Sequence, residues 1–443
     1  MKFAVAKDLI TPDKAMPLGG YSSYHGNTFR GIHDDLFVKA LLLDDGKGRL
    51  LFIAVDLVFY EYRLTQLVKQ YAQERYGIAE DALFLTYTHT HSGPATPGYG
   101  DPEYDGTAYE QFLLDRIRSC IDRAMLNPSV GTIASGFIEG DWNINRRKKE
   151  NGIVQLAPNP DGAKDDRLHV LKLCDEEGRI RCLVINYACH PVTVRDTPLV
   201  SADFPGRICQ LLEAACYGAT VLFFQGAGGN LRPKATARGS RFATLTHAEI
   251  DEMATAIVER IKTALWNEKT LRRFEPSLAA AQFAIPLALE PLPKETLAAA
   301  ADDEQLFIGT RRLARRLFER YEQLPDVQLL PGGVARLGEA VYVAYMGGEP
   351  CCEVKRNLEP LFAGKQLLFF GYADATAYIP DDKLNEEGGY EASGSTLEYG
   401  LKGPFKAGID RSMEQAFRNA LSAAPMKTDA GSARDGGQAG GMA

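Results

Sequence analysis

The sequence predicts an α/β protein, with a mixed β-sheet core, or a pair of sheets, surrounded by helices. Two observations carry that prediction. Short apolar runs rich in β-branched and aromatic residues alternate with longer segments of helical spacing. Several of those runs also stop at Gly/Pro turns that hold a histidine or a carboxylate, which is where open α/β sheets present functional groups.

The stretch Met1-Lys2-Phe3-Ala4-Val5-Ala6-Lys7-Asp8 reads as a first strand. Strand-like runs follow at 37–43, 50–58, 83–87, 168–173, 180–189, 221–224, 340–345 and 367–370. Helical spacing marks 62–76, 109–125, 206–216, 247–266 and 294–321. Not every connection between strands contains a helix, which favours a mixed sheet, or two sheets, over a doubly wound one. No internal repeat is evident. The Ala-, Pro- and Glu-rich stretch 287–304 reads as a linker or an exposed helix start, and nothing there forces a boundary. One domain is expected over 1–425. The remainder, 426–443, is Gly, Ala, Ser and charge with almost nothing to bury, and is expected to be disordered.

Composition narrows the function classes. The chain is 45% hydrophobic and 24% charged, with a net charge of −8, which argues against a nucleic-acid binder. No run approaches the ~20 apolar residues of a membrane-spanning helix. The N-terminus is too short in apolar residues and too charged for a secretory signal, so a cytoplasmic location is expected. The eight cysteines are scattered and form no CxxC pair, the pattern of reduced, buried thiols.

Of the seven histidines, two lie in Thr88-His89-Thr90-His91-Ser92-Gly93-Pro94, directly after the apolar run 83–87. On a strand, residues two apart share a face, so His89 and His91 are expected to project together. A third, His190, ends the run Ile185-Asn186-Tyr187-Ala188-Cys189-His190-Pro191 in the same way. Three such imidazoles suit Zn²⁺, although a histidine at a strand end also serves structure alone. In Val343-Ala344-Tyr345-Met346-Gly347-Gly348-Glu349-Pro350 a strand meets a Gly-Gly turn that presents Glu349, either to a metal or to the helix dipole that follows. In Asp141-Trp142-Asn143-Ile144-Asn145-Arg146-Arg147, Arg146 or Arg147 is offered as a fixed cation for an oxyanion or a substrate carboxylate, or else four consecutive cations, 146–149, form a solvated loop. Phe224-Gln225-Gly226-Ala227-Gly228-Gly229-Asn230 permits close backbone approach and anion binding by N–H groups, but no Lys-Ser/Thr follows to make it a P-loop. Asp203 is read either as orienting His190 or His91 or as a helix cap. The basic stretch 232–238 favours an anionic substrate or is a solvated loop.

Taken in order, these motifs resemble the neutral/alkaline ceramidase family of zinc-dependent amidases. The Thr-His-Thr-His-Ser-Gly-Pro signature carries the resemblance, with Asn143-Ile144-Asn145-Arg146, His190, Gly348-Glu349, Ala377-Tyr378-Ile379 and Gly389-Tyr390-Glu391-Ala392-Ser393 in support. The resemblance runs from about Val5 to Ile409. It implies His89, His190, Glu349 and Tyr378 as zinc ligands, His91 as the proton-handling neighbour, and Arg146 and Tyr390 as contacts to substrate or oxyanion. The implied reaction is hydrolysis of an N-acyl amide by a zinc-activated water.

Three departures stand out. Gly226-Ala227-Gly228-Gly229-Asn230 replaces the family's Ser-Asn-Val/Leu-Gly-Asp run, so a serine acyl-enzyme is not expected. The family's C-terminal β-sandwich and its leader sequence find no counterpart here. The last two make an amide smaller or more polar than ceramide at least as strong an expectation as ceramide itself. The competing readings are a cysteine hydrolase using Cys189 and a non-catalytic, ceramidase-like ligand-binding protein. The expected partner is a small N-acyl substrate, with no nucleic acid.

Overall fold

A computed structural model describes residues 1–20, 28–96, 105–194, 197–374 and 377–422. The tail expected to be disordered lies outside the described residues. The main strands are β1 (Lys2–Leu9), β2 (Phe37–Asp44), β3 (Arg49–Val55), β4 (Leu83–Tyr87), β5 (Ser129–Glu139), β6 (Asn143–Glu150), β7 (Ile153–Asn159), β8 (Arg167–Asp175), β9 (Ile180–Tyr187), β10 (Thr220–Gln225), β11 (Leu231–Pro233), β12 (Pro276–Ala288), β13 (Val327–Gly338), β14 (Val341–Met346) and β15 (Gln366–Phe370). The large sheet runs in the order β10-β9-β8-β5-β1-β2-β3-β4, and a second sheet runs β12-β13-β14-β15. A third, small sheet is β11-β6-β7. The pairs β3/β4, β9/β10 and β14/β15 are parallel, whereas β1/β2, β8/β9 and β12/β13 are antiparallel. The sheets are mixed, as the sequence predicts.

Aromatic side chains join the two large sheets. Phe224 of β10 stacks on Phe370 of β15 at 4.1 Å, Phe52 of β3 meets Phe370 edge-on at 5.8 Å, and Phe84 of β4 meets Tyr345 of β14 at 5.2 Å. Such pairs add ~0.5–1.5 kcal/mol each beyond their buried area. Helices cover the outer faces. The helix Thr107–Leu126 packs on β1 and β2, and Ile409–Ser422 packs on β12 and β13. Asp203–Ala215 and His247–Leu265 close a separate apolar cluster with β8, β9 and β10.

The helix read at 62–76 forms with those bounds, and ends at Gly77 in the left-handed conformation (φ 63°). Two expectations are corrected. The helical segment read at 294–321 is two helices, Lys294–Asp302 and Ile308–Glu319. Between them Asp303 accepts the Gln305 N–H on its side chain (2.9 Å) and the Leu306 N–H on its carbonyl (3.0 Å), a local turn that competes with continuing the helix. Of the two readings of the segment from 287, the linker is corrected and the helix start holds: the end of β12 is followed by the first of these helices.

Candidate metal centre and active site

The strand β4 stops at Tyr87, so His89 and His91 stand beyond it rather than on its pleat. They meet for a different reason: His89 has a left-handed backbone (φ 67°), an uncommon and costly state for a non-glycine residue. The His89 N–H bonds to the Leu57 carbonyl, and its Nδ1 lies 2.9 Å from the Val58 carbonyl. Nδ1 must therefore carry the proton, leaving the Nε2 lone pair facing inward. His190, just past β9, is held alike, with Nδ1 3.2 Å from the Gly228 carbonyl. His89 Nε2 lies 3.0 Å from His91 Nε2 and 3.1 Å from His190 Nε2.

Glu349 completes the cluster. It belongs to the two-residue strand Glu349–Pro350, which pairs in parallel with Tyr378–Ile379, so that Glu349 and Tyr378 are register partners. Glu349 Oε2 sits 3.3 Å from His89 Nε2 and 3.2 Å from His190 Nε2, is buried, and accepts no hydrogen bond. Its other oxygen takes the Tyr399 hydroxyl. The Tyr378 hydroxyl is 3.4 Å from His190 Nε2. Imidazole lone pairs and an unbonded carboxylate oxygen aimed at one point have nothing to share among themselves. This donor set fits a cation, and His89, His91 and His190 alone already meet the spacing of a metal site.

Each of these groups leaves the carboxyl end of a strand in one of the parallel pairs, the position where such sheets bind ligands. Two glycines are needed for the close fit. A Cβ on Gly20 (φ +96°) would lie 2.8 Å from His91, and one on Gly389 (φ +90°) would lie 2.8 Å from Val154. Gly389→Ala is expected to destabilise the protein by more than ~1 kcal/mol, measured by denaturant unfolding, because both the backbone and the space oppose the methyl group.

Burial holds the His91 and His190 imidazoles well below the usual histidine range, with the neighbouring His89 and Arg146 charges acting the same way. His169, outside the site, is lowered by burial as well. A histidine lowered by folding binds its proton more readily in the unfolded chain, whose value is ~6.5, so stability is present above that pH and is lost as pH falls. The metal-free protein is therefore expected to melt at lower temperature as pH drops below about 6.5. A flat melting profile from pH 7 to 5 would contradict this.

Arg146 and Arg147 are buried, not solvated. The β6/β7 register slips between Asn145 and Arg147, and the two consecutive arginines both reach one carboxylate, Glu391. Arg146 Nε and Arg147 Nη1 each donate to it at 2.8 Å. The Arg146 guanidinium lies 5.2 Å from the Tyr378 ring centre and 5.9 Å from that of Tyr390, and its Nη2 is buried without an acceptor. Burial disfavours its charge, but Tyr378 and Glu391 more than offset that and hold Arg146 well above its ordinary value. The Tyr390 hydroxyl donates to Glu398 at 2.7 Å, and its ring stands edge-on to Tyr378 at 5.4 Å. Only Lys148 and Lys149 reach the surface, where they pair with Glu150 and Glu387, and they do so from the strand β6 rather than from a loop.

Other expectations are corrected. Asp203 does not touch a histidine. It accepts the Thr193 N–H (3.0 Å) and hydroxyl (2.7 Å), and so fixes the chain leaving His190; burial raises its carboxyl to about 6. The glycine run 226–229 offers no anion nest. Its N–H groups at 226, 228 and 229 bond to the carbonyls of Tyr187, Gly226 and Pro350. Its role is close approach, since a Cβ on Gly229 would lie 2.5 Å from the Glu349 carbonyl. In the basic stretch the solvated reading holds for Lys234 and Arg238, which are half-exposed and pair with Asp141 and, at 3.0 Å, with Glu249, while Arg232 covers the Phe242 ring at 4.5 Å. Cys189 is buried and its thiol is pushed well up by burial, the opposite of an activated nucleophile. All eight cysteines are free thiols.

With that geometry in place, likeness to known proteins becomes informative. Residues 5–230 match the family described as neutral/alkaline non-lysosomal ceramidase, N-terminal. The chain belongs to the neutral/alkaline non-lysosomal ceramidase family. The ceramidase match contains His89, His91, Arg146 and His190; Glu349, Tyr378 and Tyr390 lie beyond it. The chain is 28% identical over 228 residues to the neutral ceramidase of Drosophila pseudoobscura pseudoobscura, covering 46% of this chain and 31% of the relative. It is 23% identical over 257 residues to that of Pseudomonas aeruginosa, covering 52% and 37%. It thus matches about a third of the length of these ceramidases. The crystal structure of the Pseudomonas aeruginosa neutral ceramidase superposes with a TM-score of 0.73 at 19% identity, over 95% of this chain and 74% of that one, so the ceramidase-like fold extends through the second sheet. Among the described residues, no helix is long and apolar enough to cross a membrane.

Sequence reasoning offered Arg147 only as an alternative to Arg146, and it missed Tyr372 and Tyr399 as parts of this site. Tyr372 lies 4.6 Å from the His89 ring and, like His89, has positive φ (61°). The Gly388-Gly389 pair was the one local sign that the chain turns sharply ahead of Tyr390.

Proposed function

We propose that this chain is a zinc-dependent hydrolase of linear N-acyl amides. The observation that carries the reading is the convergence of His89 Nε2, His190 Nε2 and the unbonded Glu349 Oε2 on one buried point. His89, His190, Glu349 and Tyr378 would hold the ion. Bound there, Zn²⁺ supplies Lewis acidity and brings the pKa of water from ~15.7 to ~7.

The chain's own residues do the rest. His91, the most exposed of the three histidines at 9%, takes the proton of the attacking water and passes it to the leaving nitrogen. Arg146 Nη2, buried and without an acceptor, donates to the oxyanion, and Tyr390 flanks the same space. The relatives' name, neutral ceramidase, supports an amide of the ceramide type. The absent serine at 226–230 is consistent with direct attack by water.

A second reading takes His91 as a metal ligand in place of Tyr378, favoured by its 3.0 Å approach to His89. Zinc content of His91→Ala separates the two: zinc retained with turnover lost supports the proton role, and zinc lost supports ligation. A substrate screen from short N-acetyl compounds to ceramide tests the reaction itself. Cleavage of no amide by zinc-loaded protein would favour a ligand-binding role instead.

A further inference from the structure

We propose that Glu391 is a positioning residue that aims Arg146 at the substrate. This rests on the reading of Arg146 as the anion contact. Glu391 is buried, and both of its oxygens are spent, one on Arg146 Nε and one on Arg147 Nη1, each at 2.8 Å. It therefore has no free oxygen to offer a substrate, and its effect must pass through its partners.

The way it holds Arg146 matters. A carboxylate bound at Nε alone fixes the plane of the guanidinium without using its terminal nitrogens. Nη2, next to Nε, stays buried and without an acceptor, and the guanidinium lies beside the Tyr378 and Tyr390 rings. Charge balance alone would not require this, because Arg147 by itself would neutralise Glu391. The register slip in β6 brings a second consecutive arginine to the same carboxylate. Arg147 in turn donates through Nη2 to the Gly388 carbonyl at 2.8 Å and the Leu384 carbonyl at 3.3 Å, so it ties Glu391 to the turn that delivers Tyr390. Glu391 and Tyr390 share one π-helical turn, Tyr390–Gly394, a geometry often found at functional sites. Burial opposes the Glu391 charge, but Arg146 and Arg147 outweigh it and hold the carboxyl below its ordinary range.

The test is a double-mutant cycle on amide turnover by the zinc-loaded protein, comparing Arg146→Ala, Glu391→Gln and the double variant. Glu391→Gln is expected to lower kcat by about 10²-fold, as misplacement of a contact group by ~1 Å does, with zinc content unchanged. In the Arg146→Ala background the same change is expected to cost no more than about twofold, because the group it aims is gone. A merely structural role would give losses that multiply, and that result overturns the inference. So does an unimpaired Glu391→Gln beside an impaired Arg146→Ala. Full activity of Arg146→Ala would instead overturn the anion-contact reading, and this inference with it. If Glu391→Gln does not fold, Glu391→Asp keeps the buried negative charge but shortens its reach to Arg146, and the same cycle with Glu391→Asp gives the comparison.

Discussion

His89→Ala protein is expected to bind no zinc and to lose amide turnover by at least about 10³-fold, more than the ~10²–10³ that loss of a single oxyanion donor costs. His89 Nε2 is the common neighbour in the cluster, 3.0 Å from His91, 3.1 Å from His190 and 3.3 Å from Glu349. Removing it takes away the donor that His91, His190 and Glu349 share and leaves a void against the Phe59 and Tyr372 rings, 4.5 and 4.6 Å away. Metal analysis of the purified variant, set beside its turnover, checks the expectation. Stoichiometric zinc in His89→Ala would remove the residue from the ligand set.

Arg146→Ala is the second large effect, expected to lower kcat by ~10²–10³ while zinc content stays at the wild-type level. Glu391 keeps Arg147 as its partner in that variant, so the buried carboxylate is not left alone. Arg146→Lys is expected to restore little, because an ammonium has a single nitrogen and cannot bond Glu391 through one and present a second to the substrate. A kcat within about twofold of wild type in Arg146→Ala would show that the oxyanion is met elsewhere.

Much of the fold was legible because strand and helix periods were plain. The helix Tyr62–Tyr76 and the strand Leu83–Tyr87 carry their boundaries in local residues. The antiparallel pair β12/β13 was not legible. Ala279-Ala280-Ala281 and Pro331-Gly332-Gly333 have little strand preference, and the two strands form through an eleven-residue-scale register with each other rather than through local bias. In the site, His89, His91 and His190 stood out because histidine is scarce and each followed an apolar run. The reason given for their meeting was wrong, since His89 turns by positive φ instead of lying on a pleat. Glu349 was readable as a turn carboxylate for a metal or a helix dipole, but Tyr378 needed the family resemblance, as its pairing with Glu349 belongs to a two-residue strand no pattern announces. Tyr399 and the clamp of Arg147 on Glu391 left no trace, because a partner 244 residues away has no local signature.

The ligand atoms proposed for zinc leave the chain at 89, 190, 349 and 378, and so come from both large sheets. A bound ion would then act as a cross-link between them, closing a loop that spans most of the chain. Its binding free energy would be added to the stability of the whole fold, ~2.7 kcal/mol when free zinc is a hundredfold above its dissociation constant. No fragment carrying one sheet alone would hold it, so uptake of the metal during refolding would report the moment at which the two sheets first come together.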